Sequence, residues 1–555
     1  MKGTDVMSKK MFCAKLKYAV ILAFCLFSLA LTAQEKKTKI YVDRAREISY
    51  SKTESAQRLV GDVALRHDSA RFFCDTAFLY ENSKSMKAYG NVHIIANDSV
   101  DIYSNRMNYD GNTRFAEFFG NVRLMDDSTL LVTEYLTYDR DAHKASYPNH
   151  AITTRGHNTL ESVIGCYYDN IKEMSFFDSV VLTSPDYTMN TDTLHYNMNI
   201  EKMWFNGPTT IVHEENTLKG KYGYYLENEE LVYLDKRPFF FNKTQTLEAD
   251  SMYYYRANKF VKAMSDVEVV DTSYCVVMLG DYAELWRNRG FSFVTDSTHA
   301  IYYDEGDSLH IHADTMFFYF KSDLNEEEKM LGYYNVRFYK SDMQGKCDSM
   351  AYNISDSTLL MRGKPILWSE ESQMSSDSIN ILIANHKIDT VWQYGNAFIV
   401  SRDTIEGFNQ IKGTSMISLF DDGTLSNVKV TDEAQTIYWL REEDGSLVGI
   451  NTSKSKSMNI IMKKEGQGVS HIKYYGGIDE TLFPEKDINE KERYLAGFKW
   501  LDEIRPKSII DIFKLTDAAV GSQNGQSFGE INPSDDGSNK DGKPQRRRKK
   551  KTENE

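Results

Sequence analysis

The chain has 555 residues, with 80 Asp and Glu against 66 Lys and Arg, a formal net charge of −14, and only 9 Pro beside 35 Tyr and 29 Phe. That length exceeds one core and suits two to four ordinary domains or one repeat array, while so few prolines among so many aromatics exclude a disordered or Pro-rich scaffold. Aromatics favour strands, whose pleated faces are half buried, and an acidic chain is a poor general nucleic-acid binder, because phosphates need a positive face.

The first 33 residues read as an export signal. Lys9, Lys10, Lys15 and Lys17 precede an apolar stretch from Tyr18 to Leu31, and Ala33 supplies a small residue before Gln34 for cleavage. The stretch is short for a bilayer span, which needs roughly 20 residues, so an uncleaved anchor is the lesser alternative. Phe24 before Cys25 makes a poor lipidation site. The mature protein is therefore expected to be exported. The leader holds five Lys and one Asp, and the tail from Gly521 holds eight Lys and Arg against six Asp and Glu, so the body between carries −20. Cys74, Cys166, Cys275 and Cys347 are far apart, and isolated small hydrophobes suit them better than a disulfide framework.

A repeat runs through most of the chain beyond the leader. Gly61-Asp62-Val63 recurs as Gly90-Asn91-Val92 and Gly120-Asn121-Val122, about every 29 residues. Degraded copies continue at Asn149-His150-Ala151, Asp178-Ser179-Val180, Gly207-Pro208-Thr209, Arg237-Pro238-Phe239 and Ser265-Asp266-Val267. After an irregular stretch the signal returns at Tyr334-Asn335-Val336, Gly363-Lys364-Pro365, Gly395-Asn396-Ala397 and Ser426-Asn427-Val428. A second marker keeps the same beat: a large side chain ends a strand at Tyr80, Tyr109, Tyr138, Tyr168, Tyr196, Tyr225, Tyr255, Trp286 and Tyr319. Alternation such as Val122-Arg123-Leu124 predicts strands with one wet face, whereas Ser251–Tyr255 reads as apolar on both faces. Short third strands, such as Met86–Tyr89 and Arg114–Phe118, lead into the next glycine. The expected fold is all-β, an elongated jellyroll-like or solenoid-like stack of two facing sheets sharing one core. The repeats are clearest over 34–200 and more divergent over 201–430. Residues 431–520 form a small mixed C-terminal cap region with a helix-compatible end near Ile504–Leu515, and 521–555 a disordered basic tail.

Gly-Asn-Val followed by alternating hydrophobics and a strand ending in Tyr resembles the OstA-like family, which includes the periplasmic LptA and organic solvent tolerance proteins. The match is best from Tyr41 to Tyr196 and closest from Gly90 to Arg123. The resemblance implies an elongated β-jellyroll whose hydrophobic groove carries the acyl chains of lipopolysaccharide between the inner and outer membranes. It also implies partners among other lipopolysaccharide-transport proteins, joined end to end by strand addition at exposed sheet edges, and head-to-tail self-association.

Physical chemistry points to a lipid carrier independently. Two sheets that part along one side offer their inward residues to acyl chains, each buried methylene contributing about 0.8 kcal/mol. Inward positions of the early units, Val63, Leu65, Val92, Ile94, Val122 and Leu124, are the candidate lipid-binding residues, with simple core filling as the alternative for each. Lipopolysaccharide is itself anionic, so an acidic body holds it by acyl burial rather than by charge. Enzymatic readings are weaker. Asp75, Asp250, Asp314, Asp348 and Asp377 recur in repeat register, which suits turns better than paired catalytic carboxylates. His299, His310 and His312 lack a fourth ligand for a metal and read as exposed histidines. No catalytic residue, metal site or cofactor is expected, and a closed β-solenoid scaffold or adhesin and a carbohydrate-active enzyme are the rival readings.

Overall fold

The computed structural model describes residues 39–514 apart from 97–99, 304–306, 323, 404, 443, 464–467 and 485–488. The expected leader and basic tail lie outside the described residues. Among those described, the chain is all-β: 36 strands form one antiparallel ladder in which nearly every strand pairs with the next. The ladder is folded lengthwise into two facing sheets.

The fold line is made by the repeated triplet. In Gly61-Asp62, Gly90-Asn91 and Gly120-Asn121 both residues have positive φ, a conformation that glycine and asparagine tolerate best. Each pair inserts one extra residue into the ladder: Tyr89 pairs with Arg106 and Val92 with Ser104, so two residues face one. Such a bulge bends its strand sharply. The strand Ser85–Ile95 therefore contributes its first half to one sheet and its second half to the other, as do Ala56–His67 and Phe115–Asp126. The short strands expected before each glycine are these first halves, continuous through the corner. Opposite each corner, the alternate strands bring a polar residue to the glycine: Asp75 at Gly90, Asn105 at Gly120 and Asp192 at Gly207.

Degraded triplets make the same corner by other means. Asp178-Ser179 and Ser265-Asp266 are both left-handed, and Pro238 and Pro365 follow such pairs where the ladder is interrupted and no amide is needed. Two positions differ from the sequence expectation. The irregular stretch contains a corner at Asp296-Ser297, hidden because neither residue is glycine or asparagine. The last corner is at Asp432-Glu433, not Ser426-Asn427, because the strand Thr424–Arg441 is longer and Asn427 sits in regular pairing with Leu419 and Ile461.

Inward residues of both sheets form one core along the array. Leu59, Met86, Met107, Phe118 and Leu136 of the first sheet face Leu65, Phe72, Ile94, Ile102 and Leu124 of the second, and all are buried. Among the four cysteines, all unpaired, Cys74 and Cys347 are buried members of this core, where burial pushes each thiol up to about 12; Cys166 is half buried and Cys275 exposed.

Strands continue through Leu447–Met462 to the edge pair Val469–Tyr475 and Asp479–Phe483. Beyond them the chain doubles back over the outer face of the second sheet as a strap. Buried Gln410 donates to the Arg493 carbonyl (2.8 Å) and accepts the Leu495 amide (2.8 Å). Buried Gln373 repeats the pattern on Lys499 and Leu501, and Gln344 accepts from Arg505. Gln410 and Gln373 thus satisfy their own buried amides and the strap backbone together, whereas Gln344 holds the strap through the Arg505 side chain. The strap ends with Ile512 fully buried and the Phe513 ring against His299 and His312. Near Ile504 and Ile509–Phe513 the expected helix is only short 3-10 turns.

Candidate functional site

The two sheets are joined along the corner side only. On the opposite side they end in separate turns, such as 81–84 and 111–114 on the first sheet and 68–69 and 127–128 on the second. A mouth therefore runs along the array, opening toward the core.

The six candidate residues all face this interior. Val63 and Leu65 pair with Cys74 and Phe72, Val92 and Ile94 with Ser104 and Ile102, and Val122 and Leu124 with Thr133 and Leu131. They form one inward row of the second sheet, and each is at most 2% exposed. Over this stretch the mouth is shut by polar clasps. His67 Nδ1 lies 2.7 Å from the Tyr109 hydroxyl, and Arg140 donates to the same hydroxyl (2.9 Å) and to the His67 carbonyl (3.3 Å). Arg114 pairs with Asp68 across the mouth (2.9 Å). Buried Asp126 on the second sheet accepts from the Tyr167 hydroxyl and from Lys172 Nζ (2.6 Å) on the first. On the first rim, Asp169 accepts from Tyr138 and lies 2.8 Å from His143 Nδ1.

These clasp residues are the part that sequence reasoning missed. Their signal is present as the strand-final tyrosines, which by spacing alone mark only packing. Tyr109, Tyr138 and Tyr225 turn inward with their hydroxyls at the mouth, whereas at the doublets the inward residue is Tyr167 or Tyr254 rather than Tyr168 or Tyr255. Burial, then the carboxylate partner, pushes the Tyr138 and Tyr167 hydroxyls far up, so both remain protonated donors. Further along, His213 meets Tyr254 (2.9 Å), and Arg256 lies over the Tyr187 ring (4.6 Å). Burial and the Arg256 charge both lower the His213 pKa, keeping it neutral.

Between Asp126 and Arg256 the interior widens into a cavity of about 490 Å³, with Leu160, Met174, Phe176 and Leu194 in its wall, Arg155 over the Tyr196 ring at its rim, and Asn158 donating across it to Glu227 (2.7 Å). A second cavity of about 320 Å³ lies over Ile311, Met330, Phe338 and Met350, where Lys340 donates across to the His386 carbonyl (3.0 Å). Both are apolar sites with polar rims, chemistry suited to an amphiphile. Methionine recurs in both walls, and its unbranched chain adapts to irregular ligands.

The recurring aspartates do corner work. Asp75, Asp314 and Asp377 accept from Asn91 (2.9 Å), Asn335 (3.0 Å) and Asn396 (3.1 Å), Asp348 sits under Gly363, and Asp250 lies 3.9 Å from Arg237. The histidines are less exposed than expected: they lie on the outer face of the second sheet, partly beneath Phe513. His299 Nε2 is 3.0 Å from His310 Nδ1, and His312 bonds the Thr298 carbonyl. Among the described residues no cluster of His, Cys, Asp or Glu could hold a metal ion.

Burial, then repulsion from His310 and His312, lowers the His299 pKa to about 4, while burial also lowers His310 against the pull of Asp307. Below about pH 6.5 an unfolded histidine takes up the proton that folded His299 refuses until about pH 4. Stability at this site is thus complete above that window and falls as pH drops through it, by about 2 kcal/mol after discounting for solvent. Hydrogen exchange of Phe291–Tyr302 at pH 7 and pH 4.5 should show this loss, and His299→Leu should flatten it; equal slopes in both proteins would remove the histidines as its cause.

The sequence profile of the family described as OstA-like protein matches residues 37–192. The match falls on the units whose Gly-Asn-Val corners carry the resemblance. Among solved structures, one similar to this chain is the crystal structure of LptH, the LptA-homologous periplasmic component of the lipopolysaccharide transport device of Pseudomonas aeruginosa. The two share 14% identity with a TM-score of 0.21, over 26% of this chain and 99% of that one. No curated protein matches the chain.

Proposed function

We propose that this protein is a periplasmic, non-enzymatic carrier that shields the acyl chains of lipopolysaccharide between its two sheets and helps bridge the inner and outer membranes. The observation that carries the reading is the mouth: an apolar interior, joined along one side only and clasped along the other by polar groups, that widens into apolar-walled cavities in two places. The OstA-like match over residues 37–192 supports the same reading. In it, Val63, Leu65, Val92, Ile94, Val122 and Leu124 receive acyl chains when the clasps at Tyr109 and Asp126 open. The edge strands Tyr41–Arg44 and Asp479–Phe483 are the places for strand addition by inner- and outer-membrane partners or by a second copy.

The test is to purify the protein from its native envelope and weigh extracted glycolipid by mass spectrometry. Stoichiometric glycolipid is expected, and Leu160→Trp, which fills the larger cavity, should lower it at least tenfold. A lipid-free protein that also fails to take up purified lipopolysaccharide would favour the closed scaffold instead.

A further inference from the structure

The outer face of the first sheet changes character between the two cavities. Over the early units it carries a mixture of charged and aromatic residues. From Trp204 onward the outward positions become rings in cross-strand register: Trp204 pairs with Tyr224, Tyr224 with Tyr233, and Tyr233 with Tyr253. Lys262 and Glu284 continue the row, which ends in the pair Phe293 and Phe317. A second row, nearer the mouth, runs through Tyr255, Phe260, Trp286, Phe291 and Tyr319. Neighbouring rings touch, with centroids 5.1 Å apart at Tyr224–Tyr233, 4.8 Å at Tyr233–Tyr253 and 5.7 Å at Phe293–Phe317. Trp204 is 37% exposed, and Tyr224, Tyr233, Tyr253 and Phe293 are half buried by one another. Monomeric proteins rarely leave so long an aromatic face open without a partner.

The cations on this face point to its ligand. Lys202 Nζ lies 3.9 Å from the Tyr224 ring, Lys236 4.1 Å from Tyr222, Lys262 5.3 Å from Tyr282 and Lys329 4.9 Å from Tyr319. In a body of net negative charge, Lys202, Lys236 and Lys262 stand over rings and give the aromatic face a positive fringe, while Lys329 is paired with Glu327. Flat rings offer stacking area to the C–H faces of sugars, ammonium groups bind their hydroxyls and acidic substituents, and Glu284, held by Tyr282 and Trp286, accepts hydroxyl protons. A purely apolar partner would leave these polar groups stranded. The row also starts beside one cavity, whose wall includes Met203, and ends beside the other, whose wall includes Met330. Between the cavities the mouth is clasped at Arg256, at His213–Tyr254 and at Tyr274–Glu328.

We infer that this aromatic face binds an extended, acidic saccharide chain: the saccharide portion of the same glycolipid whose acyl chains enter at the mouth. The inference rests on the proposed function and adds a second, external subsite to it. Eight successive rungs from Lys202–His213 to Leu309–Tyr319 give a platform roughly 35 Å long, enough for several sugar rings laid along the array axis.

The probe is the water-soluble polysaccharide released from purified lipopolysaccharide by mild acid, which has no acyl chains. It should bind the wild-type chain in calorimetry, and Trp204→Ala/Tyr233→Ser/Tyr253→Ser should weaken that binding at least tenfold while retention of intact glycolipid in the interior stays unchanged. Should the triple variant misfold, hydroxyl-radical footprinting of the wild-type chain should show Trp204, Tyr224 and Tyr233 protected by the polysaccharide. Absence of binding to the wild-type chain, equal binding by the variant, or no protection of these rings would overturn the inference. Those outcomes are separate from the lipid-extraction test, whose failure would remove the interior site instead.

Discussion

Replacing Asp126 by alanine is expected to lower the local stability of the mouth by about 3 kcal/mol. Its carboxylate is fully buried and holds two donors from the opposite sheet, the Tyr167 hydroxyl and the Lys172 ammonium. Removing it strands the buried Tyr167 hydroxyl and leaves the partly buried Lys172 with only the more distant, exposed carboxylate of Asp127 (3.6 Å), which costs more than the pair itself contributes. The loss should be read from hydrogen exchange at Phe115–Asp126 and Ile164–Tyr168, because a long array does not unfold as two states. The double change Asp126→Leu/Lys172→Met removes both charges and should recover most of the loss. If the double variant is as unstable as the single one, packing rather than charge pairing holds the mouth there.

Gly90→Val should cost a similar amount, about 3 kcal/mol, for a reason of backbone geometry. Gly90 has φ +74°, and a Cβ placed on it would sit 2.5 Å from the Asp75 carboxylate. Left-handed strain in a β-branched residue accounts for about 1–3 kcal/mol, and displacing Asp75 also loses its bond from Asn91, worth about 1 kcal/mol. Gly156 is the internal control. It has φ +58° but nothing within 4 Å, so Gly156→Ala should cost only about 1 kcal/mol. Equal effects at the two sites would mean that the Asp75 contact contributes nothing.

These two residues mark how far the fold can be read from the letters. The corner is legible at Gly90-Asn91 because left-handed pairs have a strong residue preference, and one period of them defines an array. It is invisible at Asp296-Ser297 and displaced at Asp432-Glu433, where a long sheet holds ordinary residues in the same conformation. Inward positions such as Val92 and Ile94 are legible from alternation. Asp126 is not, because its role depends on Tyr167 and Lys172, more than 40 positions away and set opposite it only by the lengthwise fold. The abundance of outer aromatics is plain in the composition, and Ser251–Tyr255 reads as apolar on both faces. Their alignment across eight rungs needs the register of every strand between.

The strap has a consequence for how the array comes apart. A stack whose rungs touch only their neighbours frays from either end, one rung at a time. Here the amino-terminal end, closed by Tyr41–Arg44 and Glu47–Ser51, has no such tie among the described residues. The other end has one, because residues 493–513 tie strands near Gln410, Gln373 and Gln344 to those bearing His299 and His312. Detaching the last rungs drags on a tether anchored many strands back. The molecule is therefore polar in its cooperativity: one terminus yields by degrees, and the other holds until a whole block lets go.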